Sequence, residues 1–195
     1  GRLADGDDIL YILAKYLHAR ELLAGTVVGP LMSNYGLQQA LAEFEVPLIR
    51  ANVRDRYVMQ QFRQPAGMLG GETSGHILCL DRASTGDGIV AALAVLEALA
   101  HAGQDLAAAR QGLKKFPQVM LNVRAEGARE ALQSDEVRQA LAELEQTLQG
   151  RGRVVLRASG TEPLVRVTVE GADPVEVRQL AEKLAETVKS AAERS

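Results

Sequence analysis

Leu164-Val165-Arg166-Val167-Thr168-Val169-Glu170-Gly171-Ala172-Asp173-Pro174-Val175-Glu176 changes its period midway. In the first half, Val165, Val167 and Val169 fall on one face of an extended chain and Arg166, Thr168 and Glu170 on the other, the alternation of a half-buried strand. In the second half, Asp173 offers an N-cap, Pro174 an N1 proline and Glu176 an N3 carboxylate. The helix that follows carries Leu180, Leu184 and Val188 at helical spacing. A strand running straight into an amphipathic helix, with the valine face inward, is a building unit of mixed α and β structure.

Working upstream, Val154 to Arg157 reads as a second strand and Val119, Leu121 and Val123 as a third. Between them Val137, Leu141, Leu144 and Leu148 line one helix face that ends at Gly150. Residues 116–195 are therefore expected to form a smaller α+β domain, a sheet covered by two helices.

Before Phe116-Pro117 the pattern is α/β alternation. An acidic start at Asp5 to Asp8 leads a helix with Ile9, Ile12, Leu13, Tyr16 and Leu17 on its apolar face. Thr26 to Met32 reads as a strand, Ser33 as the cap of a helix through Leu37, Leu41 and Phe44, and Pro47 to Val53 as another strand. Asp55 caps a short helix through Phe62. Strands over Met68 to Glu72 and His76 to Asp81 meet at the glycine-rich turn Gly70 to Gly75. Ile89, Val90, Leu93, Leu96 and Ala100 mark a long amphipathic helix stopped by Gly103, and Asp105 to Leu113 a shorter one. Residues 1–115 are expected to form an α/β domain with a mixed sheet and flanking helices.

Composition narrows the function. Of 195 residues 47% are apolar and only 4% aromatic, so the cores rest on aliphatic packing. A formal charge of -3 gives no general attraction for nucleic acid or acidic membranes, and any anion site has to come from local arginines. No apolar run reaches the roughly 18 residues of a membrane span, and the start resembles no signal peptide. The single Cys79, set among strand residues, has no partner for an internal disulfide and reads as a buried structural thiol, in keeping with a reducing cytoplasm.

Three loops could carry chemistry. In Arg157-Ala158-Ser159-Gly160-Thr161-Glu162-Pro163-Leu164-Val165-Arg166, a turn between strands can aim N–H groups near Gly160 and the hydroxyls of Ser159 and Thr161 into one concavity. Arg157 and Arg166 would add charge and bidentate forks for a phosphate. By residue type alone an ordinary hairpin turn with two surface arginines is the favoured reading, and spacing does not settle it. In Gly70-Gly71-Glu72-Thr73-Ser74-Gly75-His76, glycines allow close approach, the Glu72 carboxylate can accept from neighbouring sugar hydroxyls, and Ser74 and His76 add hydrogen bonds. A plain glycine-rich hairpin is the alternative. It is not a hydrolase nucleophile elbow, since Gly71 to Gly75 spell Gly-x-x-Ser-Gly. Arg54-Asp55-Arg56-Tyr57 could be a phosphate site at a helix start or a solvated charged turn.

Taken together, Met32-Ser33-Asn34, Asp55-Arg56-Tyr57, Gly71-Glu72-Thr73-Ser74-Gly75-His76, Thr85-Gly86-Asp87-Gly88 and Arg157 to Pro163 resemble the α-D-phosphohexomutases over essentially the whole chain. Leu31-Met32-Ser33-Asn34 and Asp55-Arg56-Tyr57-Val58 look more like the bacterial phosphoglucosamine mutases than the phosphomannomutases or phosphoglucomutases. Thr73 stands where the family usually has Asn or Gln, and Arg54 where a Gly is usual. The resemblance is to the third and fourth of four domains: 1–115 with the sugar loop and 116–195 with the phosphate loop.

The resemblance implies interconversion of glucosamine 6-phosphate and glucosamine 1-phosphate through glucosamine 1,6-bisphosphate, feeding cell-wall precursor synthesis in the cytoplasm. It implies Glu72, Ser74 and His76 on the sugar, and Arg157, Ser159, Gly160, Thr161 and Arg166 on the phosphate, with His76 and Arg56 as possible helpers at the reacting end. Mg²⁺ and a phosphoserine would belong to the N-terminal domains of the same enzyme, leaving no catalytic or metal residue here. Asp5-Gly6-Asp7-Asp8 lacks the family's metal-loop spacing and fits a helix start. The partners implied are the phosphosugar, those N-terminal domains and, in the intact enzyme, a second copy as a homodimer, with no nucleic acid and no membrane. The rivals are a phosphomannomutase or phosphoglucomutase portion, a non-catalytic sugar-phosphate sensor and a purely structural half.

Overall fold

The computed structural model describes residues 3–23, 25–51, 69–160, 162 and 164–194. The chain divides into two compact units, Gly1–Lys115 and Phe116–Ser195.

The first unit contains α1 (Gly6–Ala19), β1 (Val27–Pro30), α2 (Tyr35–Ala42), β2 (Leu48–Ala51), β3 (Leu69–Gly71), β4 (Ile77–Cys79), α3 (Gly88–Ala102) and α4 (Leu106–Ala109). Its sheet runs β2-β1-β3-β4, with β1 parallel to β2 and β3 and β4 antiparallel to β3. This is the mixed α/β sheet expected. Every residue of β1 is buried, as befits the inner strand of a parallel set. Leu10 and Leu13 of α1, Leu37 and Leu41 of α2, Val27 and Leu69 form the core. Cys79 lies at its edge, buried, and burial pushes its thiol pKa up. The expected helix from Asp55 to Phe62 lies outside the described residues.

Three local expectations need correction. Asn34, not Ser33, caps α2: its Oδ1 accepts the Gly36 N–H at 2.9 Å, while Ser33 is fully buried. The inward face of α3 is Ala91, Ala94 and Ala98, whereas Ile89, Leu93 and Leu96 stand 75%, 59% and 60% exposed. Both faces of α3 are apolar, so spacing alone could not choose between them, and the small alanines let it lie close to α1. Helix α4 stops at Ala109, short of Leu113, and the chain turns at Gly112, where φ is +106° and the Tyr11 hydroxyl lies 2.2 Å from where a Cβ would be.

The second unit contains β5 (Gln118–Val123), α5 (Ala128–Ala131), α6 (Asp135–Leu148), β6 (Gly152–Ala158), β7 (Val165–Gly171) and α7 (Pro174–Ala192). Its sheet, β5-β7-β6, is antiparallel throughout. Val165, Val167 and Val169 pack against Val137, Leu144 and Leu148 of α6 and Val177, Leu184 and Val188 of α7. The one-turn α5 was not anticipated. Nor was burial on the second sheet face, where Thr168 and Glu170 are only 2% and 0% exposed. Glu170 is tolerated there because both cross-strand neighbours serve it: Gln118 Nε2 donates at 2.8 Å and Arg153 pairs with its other oxygen. At the start of α7 Asp173 Oδ1 accepts from the Val175 and Glu176 N–H groups. The Glu176 carboxylate takes a bidentate pair from Arg151, 2.9 Å on each arm, instead of reaching back to the cap.

Candidate functional site

The phosphate-loop candidate is the β6–β7 connection, and of it Ser159, Gly160, Glu162 and Leu164 are described. Backbone pairing brings its ends together: the Ser159 N–H donates to Leu164 O at 2.8 Å and the Leu164 N–H to Glu162 O at 2.9 Å. Ser159 is only 2% exposed, and its Oγ accepts the Glu162 N–H at 3.3 Å. Arg129, at the start of α5, donates Nη2 to Ser159 O at 2.8 Å and so ties the loop from below. Gly160 is exposed, and a Cβ added there would meet nothing within 4 Å. The backbone at Gly160 is therefore open to a ligand.

Strand register brings Arg157 directly opposite Arg166, with Asn122 opposite Arg166 on its other side. Partners in such a row point to one face, so two guanidiniums and an amide share the loop end of the sheet. Arg166 Nη2 lies 3.6 Å from Glu162 Oε2, while its Nε is buried and makes no hydrogen bond. Glu162 also takes Arg124 Nη2 at 3.0 Å. Arg157 has neither hydrogen bond nor ion pair among the described residues. Two adjacent cations, half-neutralised by one carboxylate, can accept a dianion. Thr161 lies outside the described residues.

The sugar-loop candidate joins β3 to β4. The Glu72 N–H donates to His76 O and the Gly75 N–H to Glu72 O, each at 2.9 Å, with Gly75 at φ +98°. Ser74 Oγ donates to Glu72 Oε2 at 3.2 Å, so the two side chains meet at the turn's outer surface. His76 is half-buried, and its ring would come within 2.4 Å of a Cβ at Gly86; glycine there gives the imidazole its room. Asp87 caps α3 through the Ile89 and Val90 N–H groups at 2.8 and 3.1 Å. The structure thus joins Glu72 with Ser74, and His76 with the Thr85–Gly88 segment. Arg56 lies outside the described residues.

The acidic start of α1 has three separate employments. Asp5 caps the helix from Oδ1, and Asp8 Oδ2 accepts the Asp5 N–H at 3.0 Å in return. Lys115 Nζ bonds both Asp5 and Asp8, the latter at 2.8 Å. Burial acts to raise the Asp8 pKa, but the bonds from Lys115 and the Asp5 N–H outweigh it and hold the carboxyl below its ordinary value. Burial likewise acts to lower the Lys115 pKa and is outweighed by its two carboxylates, which leave it raised. Asp7, 1% exposed, accepts instead from Asn34 N–H, and burial raises its pKa. Among the described residues no three His, Cys, Asp or Glu side chains converge as a metal site.

Sequence reasoning missed Asn122, Arg129 and Asp7. Asn122 becomes visible only once β5 is placed in register with β7. Arg129 acts through a carbonyl that no side-chain pattern marks. Asp7 was hidden among carboxylates that a helix start already explains.

A family model described as "Phosphoglucomutase/phosphomannomutase, alpha/beta/alpha domain III" matches residues 5–116. This chain belongs to the phosphoglucomutase/phosphomannomutase family. The model of the same family's C-terminal domain matches residues 120–187. The chain is 58% identical over 193 residues to the phosphoglucosamine mutase of Xylella fastidiosa (strain M12), covering 98% of the chain and 43% of that protein. It is 52% identical over 188 residues to that of Pseudomonas fluorescens (strain Pf-5), covering 96% and 42%. It thus spans less than half the length of these relatives.

Among solved structures, Aspergillus fumigatus N-acetylphosphoglucosamine mutase superposes with a TM-score of 0.82 at 22% identity, over 98% of this chain and 44% of that one. The same fungal enzyme in complex with GlcNAc-6P and magnesium superposes at 0.79 with 21% identity, over 96% and 47%. At such identities the likeness concerns the phosphohexomutase fold.

Proposed function

We propose that this chain is the phosphosugar-recognition part of a phosphohexomutase that interconverts glucosamine 6-phosphate and glucosamine 1-phosphate through glucosamine 1,6-bisphosphate. The observation that carries the reading is the Arg157–Arg166 row beside the open backbone of Gly160. Arg157, Ser159, Gly160, Thr161 and Arg166 hold the phosphate that is not reacting. Glu72 accepts from sugar hydroxyls, with Ser74 and His76 beside it, and His76 and Arg56 serve as auxiliary groups toward the reacting end. The similarity to phosphoglucosamine mutases favours an amino sugar over other hexose phosphates.

The chain's share of the chemistry is positioning. A bisphosphorylated intermediate has to present either phosphate for transfer, so the site must accept the sugar in two orientations. Firm phosphate anchoring with few hydroxyl contacts permits that. The carboxylates of Asp5, Asp7 and Asp8 are engaged with backbone N–H groups and Lys115, and no step is assigned to a cation held by them. Mg²⁺ and the phosphoserine belong, on this reading, to the remainder of the full-length enzyme.

The test is a coupled mutase assay of the chain with Mg²⁺ and glucosamine 1,6-bisphosphate. No turnover is expected from the chain alone, and some activity when a separately produced N-terminal half is added. Turnover, or a phosphoserine formed within these 195 residues alone, would contradict the reading.

A further inference from the structure

We infer that Asp7 is a positioning residue for sugar recognition: with the bare backbone of Gly6, its buried carboxylate seats the Glu72–Gly75 turn and the Ser33–Asn34 turn together on the first turn of α1. The inference rests on the reading of Gly71–His76 as the sugar loop.

The α1 N-terminus does not need Asp7. Asp5 already caps it, Asp8 closes the capping box, and Lys115 bonds both of those carboxylates. Asp7 instead points its oxygens at two other segments. Oδ2 accepts the Asn34 N–H at 3.0 Å, and the two oxygens lie 3.4 and 3.5 Å from Thr73 Oγ1. The second contact is long, but a shorter backbone bond beside it fixes the same residue: the Gly6 N–H donates to Thr73 O at 3.0 Å. The fit is close enough to demand glycine, since a Cβ at Gly6 would lie 1.8 Å from Glu72 O and 3.1 Å from Gly75 N.

Asp7 is 1% exposed, and among the described residues no basic side chain bonds it. Burying a carboxylate is costly, and here it adds nothing that the helix cap lacks. What it does add is an acceptor-only anchor facing donors from two loops. The turn it anchors on one side presents Glu72 and Ser74, joined at 3.2 Å, on the other. A shift of the turn by a few tenths of an ångström would carry the Glu72 carboxylate with it, whereas the phosphate loop lies in the other unit. Asp7 should therefore act on sugar recognition and leave phosphate binding alone.

The test compares the wild-type chain with Asp7→Asn, Thr73→Val and Thr73→Ser. Asn turns one of the two acceptors into a donor facing donors; Val removes the Thr73 hydroxyl at constant shape; Ser restores it. Amide exchange of Gly6 and Gly75 reports the seating, and NMR titrations with glucosamine 6-phosphate and with inorganic phosphate report the function. Expected are faster exchange in Asp7→Asn and Thr73→Val, phosphosugar affinity lower by roughly three- to tenfold, unchanged phosphate affinity and recovery in Thr73→Ser. Thr73→Val keeps the test decisive if Asp7→Asn folds poorly. Wild-type exchange rates in the variants would overturn the seating. Faster exchange with undiminished preference for the phosphosugar would overturn the positioning role, leaving a structural one. A wild-type chain that binds phosphosugar no better than phosphate would remove the sugar-loop reading itself, and the inference with it.

Discussion

Arg157 on β6 and Arg166 on β7 stand directly opposite each other across an antiparallel pair, and among the described residues Arg166 alone of the two is paired with a carboxylate. Like charges so placed cost a few tenths to about 1 kcal/mol, which the fold bears with no ligand bound. Arg157→Gln should accordingly leave the free chain as stable as wild type or more so, by up to about 1 kcal/mol in denaturant unfolding. The same change should weaken phosphate and phosphosugar binding by about 1.5–3 kcal/mol for each charge-assisted bond lost. Loss of stability with binding intact would mean that the arginine row serves the fold.

Glu72→Gln separates the two loops. It keeps size but replaces an acceptor-only carboxylate by a mixed donor and acceptor. Glucosamine 6-phosphate should bind more weakly while inorganic phosphate binds as before, both followed by calorimetry. Equal phosphosugar binding would reduce the turn to a plain hairpin.

Gly36 and Gly86 predict opposite outcomes for the same substitution. A Cβ at Gly36 would lie 2.0 Å from Lys114 O, a backbone atom held by the chain around it. Gly36→Ala should cost several kcal/mol, on the order of 2–4, in thermal or chemical unfolding. At Gly86 the obstacle is the His76 ring, 2.3 Å away, which can rotate. Gly86→Ala should cost less than about 1 kcal/mol yet move the His76 imidazole signals in an NMR spectrum.

The Lys115 pair predicts a pH dependence with a definite sign. Asp8 has its folded pKa below the ordinary 3.8, so its contribution is present above that value and lost as pH falls through the folded one. Lys115 has its folded pKa above 10.5, so its contribution is present below that value and lost as pH rises through the folded one. Asp7, raised by burial, works against stability as pH rises from 3.8 through its folded pKa. Lys115→Met should lower stability at pH 7 by about 1 kcal/mol, because the Asp8 carboxylate, only 3% exposed, loses its nearer cation and keeps Arg110 at 3.6 Å and the Asp5 N–H. The deficit should shrink as Asp8 is protonated below pH 3.8. A deficit independent of pH down to full protonation would place the role of Lys115 in packing.

Much of this fold was legible because its signals agree. Val165, Val167 and Val169 alternate cleanly into Asp173-Pro174, and both the strand and the helix lie where that pattern puts them. Reading failed where one pattern serves two ends. Helix α3 is apolar on both sides, so Ile89, Leu93 and Leu96 could be told from Ala91, Ala94 and Ala98 only by what packs beside them. Glu170 looked solvent-facing because its partners, Gln118 and Arg153, come from other strands. The proposed chemistry of the loop motifs rests on Arg157, Glu72 and Gly160, residue types that mark it locally. Their anchors, Arg129 under Ser159 and Asp7 under Thr73, act through backbone atoms or long-range contacts that leave no local signature.

The central claim is that this chain recognises a hexosamine phosphate through two separate loops. The most direct measurement is a calorimetric titration of the chain with glucosamine 6-phosphate, glucosamine and inorganic phosphate, each repeated in Arg157→Ala and Glu72→Gln. The account predicts weak binding of the phosphosugar, tighter than either fragment, abolished by Arg157→Ala and reduced by Glu72→Gln to the level of phosphate alone. Binding of the phosphosugar that neither substitution changes, or no discrimination between phosphosugar and phosphate, would contradict it.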